Sequence, residues 1–162
     1  MVKISNKILL AGGLATAIGL TACGKYEDGP NFSLLTKTQR LTGDWEVTKF
    51  QNEEGTNLIN LGYDIDLEFD KDGDFKFSSE YNITQYGYTY SGANTAEGEW
   101  EFSDNKEEIE LDYDDGTSEE WEITRLTNKE LEGDITENMK KKLFPELELN
   151  SKSSVRIEAE KK

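Results

Sequence analysis

The sequence predicts an all-β chain closed into an up-and-down antiparallel barrel of eight to nine strands. Three observations carry that expectation. Apolar and acidic residues alternate with period two through most of residues 45–135, as in strands buried on one face. The alternating runs are joined by short turn-forming clusters such as Lys71-Asp72-Gly73 and Asp114-Asp115-Gly116. Strands that are apolar on one side only must close on themselves or stack on a second sheet. Sequential hairpins favour closure, with a sandwich as the alternative.

The chain opens on a different kind of segment. Lys3 and Lys7 make a cationic start, and Ile8 to Leu20 follows without a charge. That stretch suits a secretory h-region of about 7–15 residues and falls short of the about 20 needed to span a membrane. Small residues precede Cys23 in the run Leu20-Thr21-Ala22-Cys23, and Cys23 is the single cysteine of the chain. The run resembles a bacterial lipobox, which implies cleavage before Cys23 and acylation of that residue. A lone thiol in an oxidising compartment has no partner in its own chain, and lipidation accounts for it. Several acyl chains anchor firmly where one binds marginally. The organisation expected is a signal peptide over 1–22, a lipidated Cys23 with a tether over 23–40, and a barrel domain over 41–162. The Gly and Pro of Gly24 to Asn31 stop regular structure in the tether.

Composition narrows the function classes. Of 18 basic and 34 acidic residues, two lysines belong to the signal, so the remainder carries a formal net charge of −18. Such a surface repels nucleic acid and anionic headgroups and favours solubility. There is no histidine and no second cysteine. That removes the usual zinc sites, the Ser-His and Cys-His nucleophile pairs and disulfides. No cofactor is expected.

Ser33 to Arg40 suits one or two helical turns, and Gly43-Asp44 opens a strand at Trp45. Glu53 to Gly62 reads as a longer loop whose Leu58, Ile59 and Leu61 fold over one end. Tyr63, Ile65, Leu67 and Phe69 form one apolar strand face, and Phe75 and Phe77 begin the next. Tyr86 to Tyr90 and Ala96 to Phe102 read as two further strands. Ile109 to Tyr113, Trp121 to Ile123, Leu131 to Ile135 and Val155 to Ala159 complete about nine. Turns are expected at Asp104-Asn105-Lys106 and Thr127-Asn128-Lys129 as well, and a short helix at Glu137 to Phe144, ended by Pro145. Trp45, Tyr63, Phe69, Phe75, Phe77, Trp100, Phe102, Tyr113 and Trp121 point inward. An eight-stranded barrel is just wide enough to be filled by side chains or to hold one small ligand. So many rings favour a filled interior, or a small pocket at one mouth.

The run Arg40-Leu41-Thr42-Gly43-Asp44-Trp45 places Gly-x-Trp after a helical turn and before a meander. It looks like the motif of the lipocalin and calycin barrels. With Tyr26 to Pro30, Ser33-Leu34, Gly98 to Phe102 and Trp121 to Leu126, it resembles lipocalin-like lipoproteins of Bacteroidota. The resemblance implies a barrel whose one end is plugged by Trp45, with ligand entering at the opposite mouth. It also implies an arginine of a late strand over that tryptophan, with Arg125 and Arg156 as candidates. Glu27 and Asp28, just after the cysteine, resemble an export signal to the cell surface.

Candidate sites follow from residue type. Tyr86, Tyr88 and Tyr90 share a strand face and suit a pocket with rings for contact and hydroxyls for orientation. Packing near a barrel mouth is the plainer reading. Trp100 and Trp121 are further ligand-lining candidates, more simply read as core. Asp70-Lys71-Asp72-Gly73-Asp74 has its glycine fourth rather than sixth, so it reads as a turn and not a calcium loop. The acids lie on the water face, without the burial that raises a general acid's pKa. No catalytic or metal residue is expected. The chain reads as a membrane-anchored protein of the cell envelope, held at the outer membrane and periplasmic or surface-exposed. It binds a small apolar or amphipathic ligand, or else docks on an outer-membrane protein complex without a ligand or enzymatic activity of its own.

Overall fold

In the computed structural model, residues 34–51, 55–103, 108–145 and 155–162 are described. The signal segment, Cys23, the tether as far as Ser33 and the turn at Asp104-Asn105-Lys106 lie outside them. Helix α1 (Lys37–Leu41) begins at Thr36, whose side chain accepts from the backbone of Gln39 while the Gln39 side chain accepts from the backbone of Thr36. This reciprocal cap satisfies two of the amide donors that a helix start leaves without partners.

Eight strands follow: β1 (Gly43–Gln51), β2 (Tyr63–Phe69), β3 (Asp74–Gln85), β4 (Tyr88–Phe102), β5 (Glu108–Tyr113), β6 (Ser118–Leu126), β7 (Glu130–Ile135) and β8 (Val155–Lys161). Each pairs antiparallel with its sequence neighbours, and β8 returns to β1 to close the barrel. Between β7 and β8 stands helix α2 (Glu137–Leu143), capped by the Thr136 hydroxyl. The loop before β2 holds a 3-10 helix, Leu58–Leu61, that buries Leu58 and leaves Leu61 exposed.

The all-β, up-and-down barrel is therefore as the alternation predicts, with one correction to the count. The stretches around Tyr86–Tyr90 and Ala96–Phe102 belong mostly to one fifteen-residue strand, β4. Gly92 does not break it, because the ring of Tyr81, its cross-strand partner, covers the space a Cβ would take. An aromatic residue laid over a strand glycine supplies the packing that the glycine lacks.

The end at which β1 starts is the closed end. There Trp45 is fully buried, and its indole N–H donates to the Leu41 carbonyl at 2.7 Å. Above it the lumen fills with rings. Phe69 lies 5.3 Å from Phe77, 5.8 Å from Trp100 and 6.2 Å from Trp121, centroid to centroid. Edge-on and offset arrangements of this kind add to plain burial.

The resemblance implies an arginine over Trp45; the structure places Lys161 there, with its Nζ 5.1 Å from the ring centroid. Arg125 instead pairs with Glu130 and Glu132, and Arg156 with Glu132. The cause is side-chain direction along β8. Val155, Ile157 and Ala159 are buried, and Lys161 continues their face while Arg156 points outward.

Candidate functional site

The mouth opposite Trp45 is closed by α2 and the residue after it rather than by the strands. Seven residues are well short of the about 12–15 that an isolated helix needs, so α2 owes its form to its seat. Met139 and Leu143 are four apart and both buried, and Phe144 follows into the lumen. The Phe144 ring stacks on Phe50 at 4.5 Å and meets Tyr63 edge-on at 5.8 Å. Below these side chains a void of about 10 Å³ remains among Val47, Ile65, Ile135 and Ile157. Small-molecule pockets occupy roughly 300–1,000 Å³. With α2 seated, the described residues fill this mouth of the lumen.

Polar contacts hold the helix in place. The buried Ser79 hydroxyl and the Asn94 amide both donate to the Leu143 carbonyl, at 2.5 and 3.1 Å. Lys142 reaches the β5–β6 turn, where its ammonium pairs with Asp115 and lies 4.4 Å from the Tyr113 ring centroid. Asn138 donates to the Ser118 carbonyl at 3.4 Å. The Lys142 hydrogen bond, and then the Thr117 hydroxyl and amide, bring the Asp115 carboxyl down to about 2. Burial pushes the Tyr113 hydroxyl far up, and its hydrogen bond to Glu119 adds to the shift. Tyr113 therefore stays protonated and donating.

The sequence-level candidates are spread over three places. Trp100 and Trp121 are in the ring-filled core, Trp100 donating its indole N–H to Asp70 at 3.1 Å. Tyr86, Tyr88 and Tyr90 are 91, 70 and 57 % exposed at the tip of the β3–β4 hairpin. Tyr86 stands in the turn rather than in a strand. It and Gly87 have φ of +53° and +82°, a two-residue turn with left-handed backbone at both positions. Pairing with β2 ends at Tyr81, so the hairpin runs on past the barrel as a two-stranded ribbon. Among the described residues the tyrosines therefore line no enclosed space.

The larger hollows lie on the outer wall. One is bounded by Lys76, Glu97, Tyr113 and Asp115, and its wall carries an ion pair, Lys76–Glu97 at 2.8 Å, rather than an apolar seat. Among the described residues no three carboxylates converge as a metal site, and no helix is long and apolar enough to cross a membrane.

Sequence reasoning missed Ser79, Asn94, Met139, Leu143 and Phe144 as a group. A signal was present: Ser79 and Asn94 interrupt otherwise apolar inward faces, and Met139 and Leu143 share one face of a helix.

No curated protein matches this chain. The family model described as a lipocalin-like domain matches residues 41–133, from the end of α1 into β7; α2 and β8 lie beyond the match. Lipocalin-like proteins are in general binding proteins rather than enzymes, and their barrel is suited to small hydrophobic ligands. By the motif, the closed eight-stranded meander and that match over more than half its length, this chain belongs to the lipocalin-like domain family.

Proposed function

We propose that this protein is a membrane-anchored lipocalin-like lipoprotein that binds a small apolar or amphipathic molecule at the α2-capped mouth of its barrel, and performs no chemistry on it. The observation that carries the reading is how that mouth is closed. A helix too short to stand alone places Met139, Leu143 and Phe144 where a ligand would lie in an open barrel. A guest of comparable size and polarity can take their place, and α2 then leaves its seat. The anchor rests on the run Leu20 to Cys23 and puts the protein in the cell envelope, at the outer membrane, periplasmic or surface-exposed. Palmitate labelling of the wild type and its loss in Cys23→Ala test that half of the proposal. Native mass spectrometry of the protein extracted with its membrane tests the other half. A small molecule bound at one per chain supports it; a bare chain that also excludes apolar dyes at every concentration rejects it.

One observation favours a second reading, an accessory subunit docking on an outer-membrane protein complex. Three exposed tyrosines crown a ribbon that projects past the mouth. Residues 81–95 around them carry no charge, in a chain of net −16. Tyrosine, with serine, glycine and asparagine, is the composition of adaptable binding loops. Since β3 starts at the closed end, the tip lies at the end opposite the chain's arrival through α1. Co-purification of a membrane protein with the wild type and its loss on replacing Tyr86, Tyr88 and Tyr90 by serine is the outcome this reading requires.

A further inference from the structure

We infer that Ser79 and Asn94 form an acceptor-binding subsite inside the mouth, and that the ligand is a small neutral molecule carrying an aromatic ring and a carbonyl oxygen a few bonds apart. The inference rests on the mouth being the binding site. Ser79 and Asn94 are direct cross-strand partners on β3 and β4. Their side chains enter the lumen among Phe77, Tyr81 and Ala96, all on the same faces. Both donate to one oxygen, the Leu143 carbonyl. Four bonds further along the chain, the Phe144 ring fills the seat against Phe50 and Tyr63.

The plug thus shows what the mouth accepts. A guest with a ring alone takes the Leu143 oxygen away from the buried Ser79 hydroxyl in an apolar wall, a penalty that makes such sites discriminate strongly. A guest with an oxygen alone leaves the ring seat empty, and a void forfeits dispersion contacts. Both donors are neutral and the chain is strongly acidic, so a neutral amide, ester or ketone fits better than a carboxylate.

The fragment from the Leu143 carbonyl to the Phe144 ring is reproduced by N-phenethylacetamide, and pentylbenzene is its counterpart without the oxygen. Binding is read from NMR shifts of the Phe50 and Tyr63 ring signals in the full barrel. In Phe144→Ala, which vacates the ring seat, the amide binds at least about tenfold tighter than in wild type. Adding Ser79→Ala narrows the preference for the amide over pentylbenzene by about tenfold, as removal of one buried donor implies. If Phe144→Ala does not fold, Phe144→Leu carries the same comparison. Equal binding of both probes, indifferent to Ser79→Ala, overturns the acceptor subsite and leaves the mouth an apolar binding site. Failure of both probes to bind any folded variant overturns the mouth reading as well.

Discussion

Lys161 lies across Trp45, and Gly43 makes room for it. A Cβ on Gly43 would stand 2.7 Å from Lys161 Cε, and the glycine holds a φ of +127° that side-chain-bearing residues avoid. The ammonium donates to the carbonyls of Arg40 at 2.9 Å and Thr42 at 2.6 Å while facing the Trp45 ring. The two ends of the barrel chain are thereby tied at one point, and the physical content of Gly-x-Trp here is a shelf for a cation. Burial lowers the Lys161 pKa, with Asp44 opposing the shift.

Lys161→Met keeps the aliphatic stem and removes the head. It leaves two carbonyls without their donor and is expected to cost about 1–3 kcal/mol in urea unfolding. Arg156→Met, which removes a surface partner of Glu132, is expected to change stability by under about 0.5 kcal/mol. Equal effects would mean that the closed end does not depend on this cation.

The two buried tryptophans of the upper core differ in one bond. Trp100 donates to Asp70, whereas Trp121 Nε1 is buried without an acceptor among the described residues, over Gly133. Replacing each by phenylalanine removes similar volume. Trp100→Phe gives up a hydrogen bond and leaves the Asp70 carbonyl with only the Gly73 amide at 3.3 Å, while Trp121→Phe removes an unsatisfied donor. Trp121→Phe is therefore expected to be milder by about 1 kcal/mol in denaturant titration. The reverse order would point to an acceptor for Trp121 that the packing does not reveal.

The barrel was legible because its alternation is strict: Tyr63 to Phe69 and Ile109 to Tyr113 can bury only one flank. The closed end was half legible. Trp45 announced itself by motif, but the cation above it depended on β8, whose partners are β1 and β7 at opposite ends of the sequence. Side-chain parity from Val155 to Ala159 already excluded Arg156 and pointed to Lys161. The mouth was least legible. Glu137 to Phe144 read as a helix from its own residues, yet its seat is made by Phe50, Tyr63, Ser79 and Asn94 on four strands far away in sequence. The tyrosine hairpin misled because Tyr88 and Tyr90 keep an inward parity after the barrel wall has ended.

Acid loosens α2 through Asp115. Its folded pKa, about 2, lies below the ordinary 3.8, so the Lys142 link stabilises the folded state fully above about pH 4 and is lost as pH falls toward 2. The expected observation is a stability difference between wild type and Asp115→Asn that is present at pH 7 and shrinks between pH 4 and pH 2. Both members of the pair being partly in water, added salt shrinks it too. Amide exchange in α2 should rise over the same pH window. A difference that stays constant with pH would remove Asp115 from the tether.

Tyr86 holds a left-handed backbone that its ring does nothing to stabilise, for the side chain is 91 % exposed. That conformation costs a residue with a Cβ roughly 1–2 kcal/mol, and asparagine or glycine far less. Tyr86→Asn is therefore expected to raise stability by about 0.5–1 kcal/mol, with the hairpin turn unchanged. On the docking reading proposed above, that strain is stability given up for a side chain that meets a partner. If Tyr86→Asn instead lowers the melting temperature, the ring packs on the ribbon in solution, and the tip loses its claim as a docking point.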